Sequence, residues 1–270
     1  MPNRKPRFYF IEYGSQDTIL SELHYSLATL QAEGVKASSI SIATDTPGRY
    51  AGTAYKIVDI SEKIPLYRGA INYGHRIKPS VILDALRTHD QPIVLLDTDT
   101  YFKPGFLVEI ENALKEGVGM NFFIRRDPYR GFGPFSMTLP SGIPYSYDPR
   151  WSLMYNSGVL AVTPAHIPII EDSLALIDGL WKAGLTSLDI DQFAATETFR
   201  LHGTKITPVF QKIHHYHSRW TRKYILWQLG LGPKFDFSIP RIRRPDIRVN
   251  KTIVRLYKAY KFFTKGKAKN

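Results

Sequence analysis

Short apolar runs alternate with segments of helical periodicity along most of the chain. The runs have the length and composition of strands, and they predict strands at Arg7–Glu12, Ser39–Ala43, Lys56–Ile60, Ile93–Leu96, Gly158–Val162, Ile206–Phe210 and Ile213–Tyr216. The segments between them predict helices at about Leu20–Ala32, Pro79–Leu86, Ile167–Ala183 and Leu188–Phe199. Because strands and helices alternate, we expect an α/β fold with a mostly parallel sheet flanked by helices.

The apolar run before residue 97 ends in two aspartates, Asp97 and Asp99, separated by one residue. A run of this composition is typical of a strand buried on both faces of a parallel sheet. Residues two apart on a strand point the same way, so both carboxylates converge at the carboxyl end of the strand, where open α/β sheets bind ligands. Such a pair favours a divalent cation, with a nucleotide diphosphate completing its coordination. The alternative is a polar turn that ends the strand.

A proline-rich interval, residues 127–150, interrupts the pattern with five prolines and three glycines in 24 residues. Loops of this length in compact domains are usually functional or disordered. The interval also contains five aromatic residues, which either stack against a sugar ring or pack onto the domain surface: Tyr129, Phe132, Phe135, Tyr145 and Tyr147.

The composition narrows the class of protein. A chain of 270 residues is long enough for one large α/β domain with an appendage. It has no cysteine, which excludes disulfides, thiolate metal sites and cysteine nucleophiles. The first residues pass directly from basic positions into a strand, without the apolar segment of a signal peptide. No apolar stretch of the sequence approaches the length of a membrane span. We therefore expect a cytoplasmic protein.

Positive charge is concentrated at the end of the chain. The net charge is +12, and residues 211–270 hold 16 Lys and Arg against two acidic residues. On a helical wheel, Lys251–Lys265 separates a basic face from an apolar face that contains Ile253, Leu256, Tyr257, Tyr260 and Phe263. This pattern favours a helix lying on the anionic inner surface of a membrane, and the alternative is a helix packed on the domain with a solvated basic face.

Five short motifs follow one another in a recognisable order. They are Lys78-Pro79, Asp97-Thr98-Asp99, Asn156-Ser157-Gly158, Asp191-Gln192 and His214-His215-Tyr216-His217. Together they resemble nucleotide-sugar glycosyltransferases of the GT-A fold, in the group that includes glycogenin and bacterial galactosyltransferases of lipooligosaccharide assembly. The resemblance covers roughly residues 7–217. It implies a Rossmann-like transferase domain over residues 1–218, followed by a basic extension over residues 219–270.

The resemblance also implies a metal site and a reaction. In such enzymes an Asp-x-Asp pair and a later histidine hold Mn²⁺ or Mg²⁺ against the diphosphate of the donor, here expected to be a UDP-sugar. Carried over, Asp99 binds the metal directly, and Asp97 contacts the metal or the ribose. His215 matches the position of the histidine, with His217 in reserve. The acceptor is then a glycan or a lipid-linked glycan at the membrane surface.

Further residues are assigned to the donor site by the same resemblance. Arg76 and Lys78 would lie near the donor, and Tyr13 and Asp45 near the base and ribose. Asn156, Ser157 and Gly158 would lie near the sugar. Asp191 and Gln192, near the transferred sugar or acceptor, would be the catalytic residues: Asp191 or Asp189 is the general base if the reaction inverts, and Gln192 stabilises the transition state if it retains. Each motif also has a plain structural interpretation: a solvated lysine at a helix start, turn chemistry before a strand, and N-capping by Asp189 or Asp191.

Two features depart from the glycogenin-like pattern and leave alternatives open. The first strand ends in Glu12-Tyr13-Gly14, and Asp191-Gln192 is followed by Phe-Ala-Ala, so the base and the stereochemical course are not fixed.

A nucleotidyltransferase is a competing function, although it needs a Gly-rich loop after the first strand. A non-catalytic protein that binds membranes or nucleic acid through its tail is another. With the basic charge confined to the tail, no specific nucleic acid is expected as a partner.

Overall fold

The computed structural model describes residues 4–14, 16–126, 128–129 and 131–216, together with Arg222 and Ile225. The strands are β1 (Arg7–Glu12), β2 (Ile40–Thr44), β3 (Lys56–Asp59), β4 (Ile93–Leu96), β5 (Thr100–Phe102), β6 (Val118–Met120), β7 (Phe123–Arg126), β8 (Ser136–Thr138), β9 (Pro144–Ser146), β10 (Leu153–Tyr155), β11 (Val159–Val162), β12 (Ile206–Pro208) and β13 (Ile213–His215). The helices are α1 (Asp17–Ala32), α2 (Ile64–Arg68), α3 (Ile77–Thr88), α4 (Phe106–Glu116), α5 (Ile167–Lys182) and α6 (Ile190–Leu201).

Seven strands form the central sheet, in the order β12-β6-β11-β4-β1-β2-β3. The pairs β1–β2, β1–β4, β2–β3 and β6–β12 are parallel, and among the described strands of this sheet β11 runs opposite to its neighbours. The sheet is therefore mostly parallel, and helices pack on both of its faces. This confirms the predicted α/β class and is the arrangement that a GT-A resemblance implies.

Both faces of the sheet are buried, as the unbroken apolar runs predict. On β1 the rings of Phe8 and Phe10 pack in one hydrophobic cluster with α1 and α4, whereas Tyr9 between them packs in a second cluster with α3, α5 and α6. Successive side chains on a strand point to opposite faces, which produces this division. Full burial of one such aromatic side chain contributes roughly 1.5–3 kcal/mol.

The elements predicted from the apolar pattern are all present; β1 and β4 have the predicted bounds, and the ends of the others differ by at most three residues. Between residues 100 and 126 the structure contains β5, α4, β6 and β7, which the pattern does not predict. The three strands among them are short, and their pairing with β13, with β11 and β12, and with β10 defines them.

The described part of the proline-rich interval contains regular structure and buried side chains. It contains the antiparallel hairpin β8–β9, in which Met137 pairs with Tyr145. Tyr129, Tyr145 and Tyr147 are buried in a third hydrophobic cluster with α5 and α6, and Phe132 and Phe135 pack against that cluster. The aromatic rings thus serve the core of the domain, so their use as stacking surfaces for a sugar is not supported.

The predicted basic helix at Lys251–Lys265 and the domain boundary at residues 218 and 219 lie outside the described residues. In the part of the chain that is described, none of the helices combines the length and the apolar character that crossing a membrane requires.

Candidate metal centre

The two aspartates lie at the carboxyl end of β4, on the turn that leads into β5. The backbone of this turn is held by two hydrogen bonds: Asp97 N donates to Gly158 O at 2.9 Å, and Tyr216 N donates to Asp99 O at 2.9 Å. Antiparallel pairing of β5 with β13 sets His215 opposite Thr100. One potential ligand atom each from Asp97, Asp99 and His215 therefore lies within 4.8 Å of the others.

The imidazole of His215 is oriented by Asn156. Nδ1 of His215 lies 2.7 Å from Oδ1 of Asn156, and the amide nitrogen of Asn156 donates to Oε1 of Gln192 at 3.3 Å. Because the amide nitrogen faces Gln192, the amide oxygen must face the histidine, so Nδ1 is the protonated nitrogen. In the neutral ring Nε2 is then the unprotonated nitrogen and faces the carboxylates, 3.1 Å from Asp99 Oδ1 and 3.7 Å from Asp97 Oδ2, whereas in the protonated ring it donates to Asp99.

This donor set fits a divalent cation. Two carboxylate oxygens and an imidazole nitrogen converge within 4.8 Å, an arrangement that is unfavourable unless positive charge lies among them, either a proton on the imidazole or a bound cation. Carboxylate oxygens suit Mg²⁺ and Mn²⁺, and an imidazole nitrogen is also a common metal ligand. Asp97, Asp99 and His215 thus form a site that can hold a divalent metal ion, in agreement with the prediction from the sequence.

Lys78 at the start of α3 supplies a fixed positive charge next to the aspartates. Its Nζ lies 2.6 Å from Asp97 Oδ1, and its side chain is 20% exposed. Burial by itself would lower the pKa of Lys78, but the carboxylates of Asp97, Asp191 and Asp99 outweigh it and raise that pKa. Lys78 therefore stays charged. Its burial and its pairing with Asp97 rule out the alternative that it is a solvated lysine on the surface.

Asp99 is ionised in the same environment. Its burial would raise the pKa of the carboxyl group, but the hydrogen bond and charge of His215, together with Arg222 and Lys78, lower it. A carboxylate that stays deprotonated at neutral pH is available as a metal ligand without first losing a proton.

A cavity of about 440 Å³ opens in front of these residues. Its lining includes the predicted residues Tyr13, Lys78, Asp97, Asp99, Asn156, Ser157, Asp191, Gln192 and His215. The cavity lies at the carboxyl edge of the parallel strands, the usual ligand site of open α/β sheets. A volume of this size is in the range of sites for small molecules and cofactors.

Asp191 lies in the cavity wall, and both of its carboxylate oxygens have hydroxyl neighbours. The hydroxyl of Tyr73 lies 2.9 Å from Oδ1, and the hydroxyl of Ser157 donates to Oδ2 at 3.2 Å. Asp189, the predicted N-cap alternative, instead accepts a hydrogen bond from Tyr129 at 2.8 Å and makes no capping bond to α6. Asp191 rather than Asp189 therefore faces the ligand cavity.

Three predicted donor residues, Asp45, Arg76 and Gly158, are not among those that line the cavity. Asp45 accepts hydrogen bonds from the backbone of Gly14 at 3.0 and 3.2 Å. Arg76 forms a two-pronged ion pair with Asp178, at 2.8 and 3.0 Å, and donates to the carbonyl of Tyr67. The prediction that Arg76 lies at the donor is therefore not supported, because Asp178 and the α2 backbone satisfy its guanidinium.

This placement predicts the phenotype of Arg76→Ala. We expect a loss of about 1–2 kcal/mol in the free energy of unfolding, since a partly buried, charge-assisted pair is removed, with no change in nucleotide affinity. Denaturant unfolding and nucleotide titration measure the two quantities. Arg76→Lys is the control for charge alone, and a selective loss of nucleotide affinity in Arg76→Ala would contradict the structural role.

Two basic residues of the lining, His75 and Arg222, were not predicted as site residues from the sequence. His75 adjoins the Arg76 and Lys78 positions, and its ring packs on Tyr73 at 5.7 Å between centroids. Arg222 belongs to the basic end of the chain, where the sequence does not distinguish one functional arginine among many Lys and Arg residues. The reserve ligand His217 lies outside the described residues.

Comparisons with known proteins give a distant likeness to a solved structure. No family model matches the chain. No curated protein matches it either. The apo structure of mouse Xyloside xylosyltransferase 1 is similar over 75% of this chain and 84% of that chain, with 13% sequence identity and a TM-score of 0.46. A likeness this distant does not assign an activity, so the function is argued from the site.

Proposed function

We propose that the protein is a metal-dependent glycosyltransferase that moves a sugar from a nucleoside-diphosphate sugar to a glycan or lipid-linked acceptor. The first candidate for the donor is a UDP-sugar. The observation that carries this proposal is the convergence of Asp97, Asp99 and His215, beside Lys78, at one end of the cavity. Clustered metal ligands next to a fixed cation suit a diphosphate, which carries negative charge and coordinates divalent ions through oxygen.

In this proposal Asp97, Asp99 and His215 hold Mn²⁺ or Mg²⁺. The bound ion would neutralise the charge that develops on the departing nucleoside diphosphate. Lys78 keeps Asp97 in position and adds positive charge at the same end of the cavity. Asn156 fixes the tautomer of His215, and its contact with Gln192 links the metal centre to the start of α6.

The remainder of the cavity suits the other parts of a nucleotide sugar. Tyr13, just after β1, would contact the nucleotide, and Ser157 would lie along the transferred sugar. Asp191 and Gln192 would face the transferred sugar or the acceptor hydroxyl. The basic segment at residues 219–270 supports an acceptor at the anionic inner surface of the membrane, since each Lys or Arg near such a surface contributes about 1 kcal/mol.

A thermal-shift panel tests the proposed function. UDP, GDP, CDP and TDP are each added to the full chain with and without Mn²⁺. A ligand at 100 times its dissociation constant adds about 2.7 kcal/mol of apparent stability. We expect a Mn²⁺-dependent rise in Tm for one nucleotide, UDP first. No rise for any nucleotide in either condition would contradict the proposal.

A further inference from the structure

A fully buried acid in α1 has no part in the site described so far. Glu22 is 0% exposed, in a helix whose neighbouring positions Leu20 and Leu23 belong to the hydrophobic core. Burial raises the pKa of its carboxyl group, and the hydrogen bonds and charge of Arg222 oppose that rise. A buried carboxylate without a partner is strongly unfavourable, so this position requires a cation.

Arg222 is that cation, although it lies 200 residues further along the chain. Its Nε donates to Glu22 Oε1 at 2.6 Å, and its Nη2 donates to Glu22 Oε2. This parallel pair of charge-assisted bonds fixes the plane of the guanidinium as well as its position. Lysine could not replace it, because a single ammonium has no such fork.

The other edge of the guanidinium faces the ligand cavity. Nη1 of Arg222 lies 3.8 Å from Asp99 Oδ2, which is longer than a hydrogen bond, and Arg222 lines the cavity. Its side chain is 33% exposed, whereas Glu22 behind it is closed to solvent. The donors on this edge thus lie beside the proposed metal ligands, where they suit the oxygen atoms of a phosphate.

We propose that Glu22 is a positioning residue for donor binding: it holds Arg222 so that the free edge of the guanidinium meets the phosphates of the nucleoside diphosphate beside the metal site. This rests on the proposed function and names a further part of the same site. A flexible arginine loses rotamer freedom when it binds phosphate, and one that is already fixed by Glu22 loses less.

The test measures affinity for the nucleoside diphosphate by calorimetry in the presence of Mn²⁺, using the full chain and the nucleotide that the thermal-shift panel selects. We expect Glu22→Gln and Arg222→Gln each to weaken that affinity about tenfold, with the affinity for the nucleoside without phosphates unchanged. Because Glu22 acts through Arg222, the double variant is expected to be no weaker than Arg222→Gln. Additive losses would overturn the proposal.

Glu197→Gln is the matched control. Glu197 is also 0% exposed and forms a two-pronged pair with an arginine, Arg200, at 3.0 and 2.9 Å. We expect it to lower Tm without changing the affinity for the diphosphate. If Glu22→Gln behaves in the same way, its role is structural and the proposal fails.

Arg222→Lys covers the case in which Glu22→Gln does not fold. It keeps the positive charge opposite Glu22 but removes the fork, so a stable protein with about tenfold weaker diphosphate binding is expected. Unchanged binding in that variant would overturn the positioning role. A wild-type chain that binds none of the four nucleotides would instead overturn the proposed function, and this inference with it.

Discussion

Asp99→Asn is expected to abolish Mn²⁺-dependent nucleotide binding and to lower kcat/KM about 1,000-fold or more. Asparagine keeps the size of the side chain and removes the negative charge that faces His215 and the aspartate two residues before it. A bound metal contributes several kcal/mol to the stabilisation of transition-state charge, and each 1.36 kcal/mol corresponds to a tenfold change in rate. Manganese titration followed by electron paramagnetic resonance, together with assays of sugar transfer, measures both effects.

Asp178→Asn is the control for that experiment. Asp178 is also an ion-paired aspartate, but its partner is Arg76, and its side chain is 31% exposed. We expect a modest loss of stability and unchanged manganese affinity. If Asp99→Asn keeps metal-dependent nucleotide binding at the wild-type level, the Asp-x-Asp pair is a polar turn and the metal centre proposed here is wrong.

Gly158→Ala is expected to lower Mn²⁺ affinity about 10–100-fold while the fold survives. A Cβ atom at this position would lie 2.4 Å from Nδ1 of His215 and 2.8 Å from Oδ1 of Asn156. These are side-chain atoms that can move, so the imidazole is displaced and its hydrogen bond to Asn156 is broken. Losing the partner that orients a metal-bound histidine typically costs metal affinity by this factor.

The added methyl group is expected to cost about 1–3 kcal/mol in the free energy of unfolding, the usual price of overpacking. Gly133→Ala is the control, since an added Cβ there meets nothing within 4 Å. Denaturant unfolding and manganese titration separate the two effects. Wild-type manganese affinity in Gly158→Ala would show that His215 is not needed for the metal.

The pairing of the two aspartates was predictable because it is local. An apolar run of four residues predicts β4. The aspartates lie after its end, on the turn before β5, so this short turn brings them together and not the strand alternation that the sequence predicts. The structure adds that Lys78, 19 residues earlier, forms a hydrogen bond with Asp97. The sequence predicts that α3 precedes β4, and this order permits the contact without requiring it.

The assignment of Arg76 and Lys78 shows where local reasoning fails. They lie two residues apart at the start of α3, and both are cations ahead of the Asp-x-Asp strand. Only the packing of α5 shows that Arg76 pairs with Asp178, whereas Lys78 pairs with Asp97 at the site. Two nearby charges on a helix point in different directions, and the neighbouring elements decide which one meets the ligand.

The sequence by itself determined the α/β class and the Asp-x-Asp pair, because apolar periodicity and the geometry of a short turn act over a few residues. The family resemblance predicted His215, and the tertiary structure brings it to the aspartates. Only the tertiary structure decided that Asn156 orients its imidazole and that Glu22 holds Arg222. These contacts join residues 59 to 200 positions apart. Their partners are chosen by the pairing of β5 with β13 and by the position of α1, which no local pattern encodes.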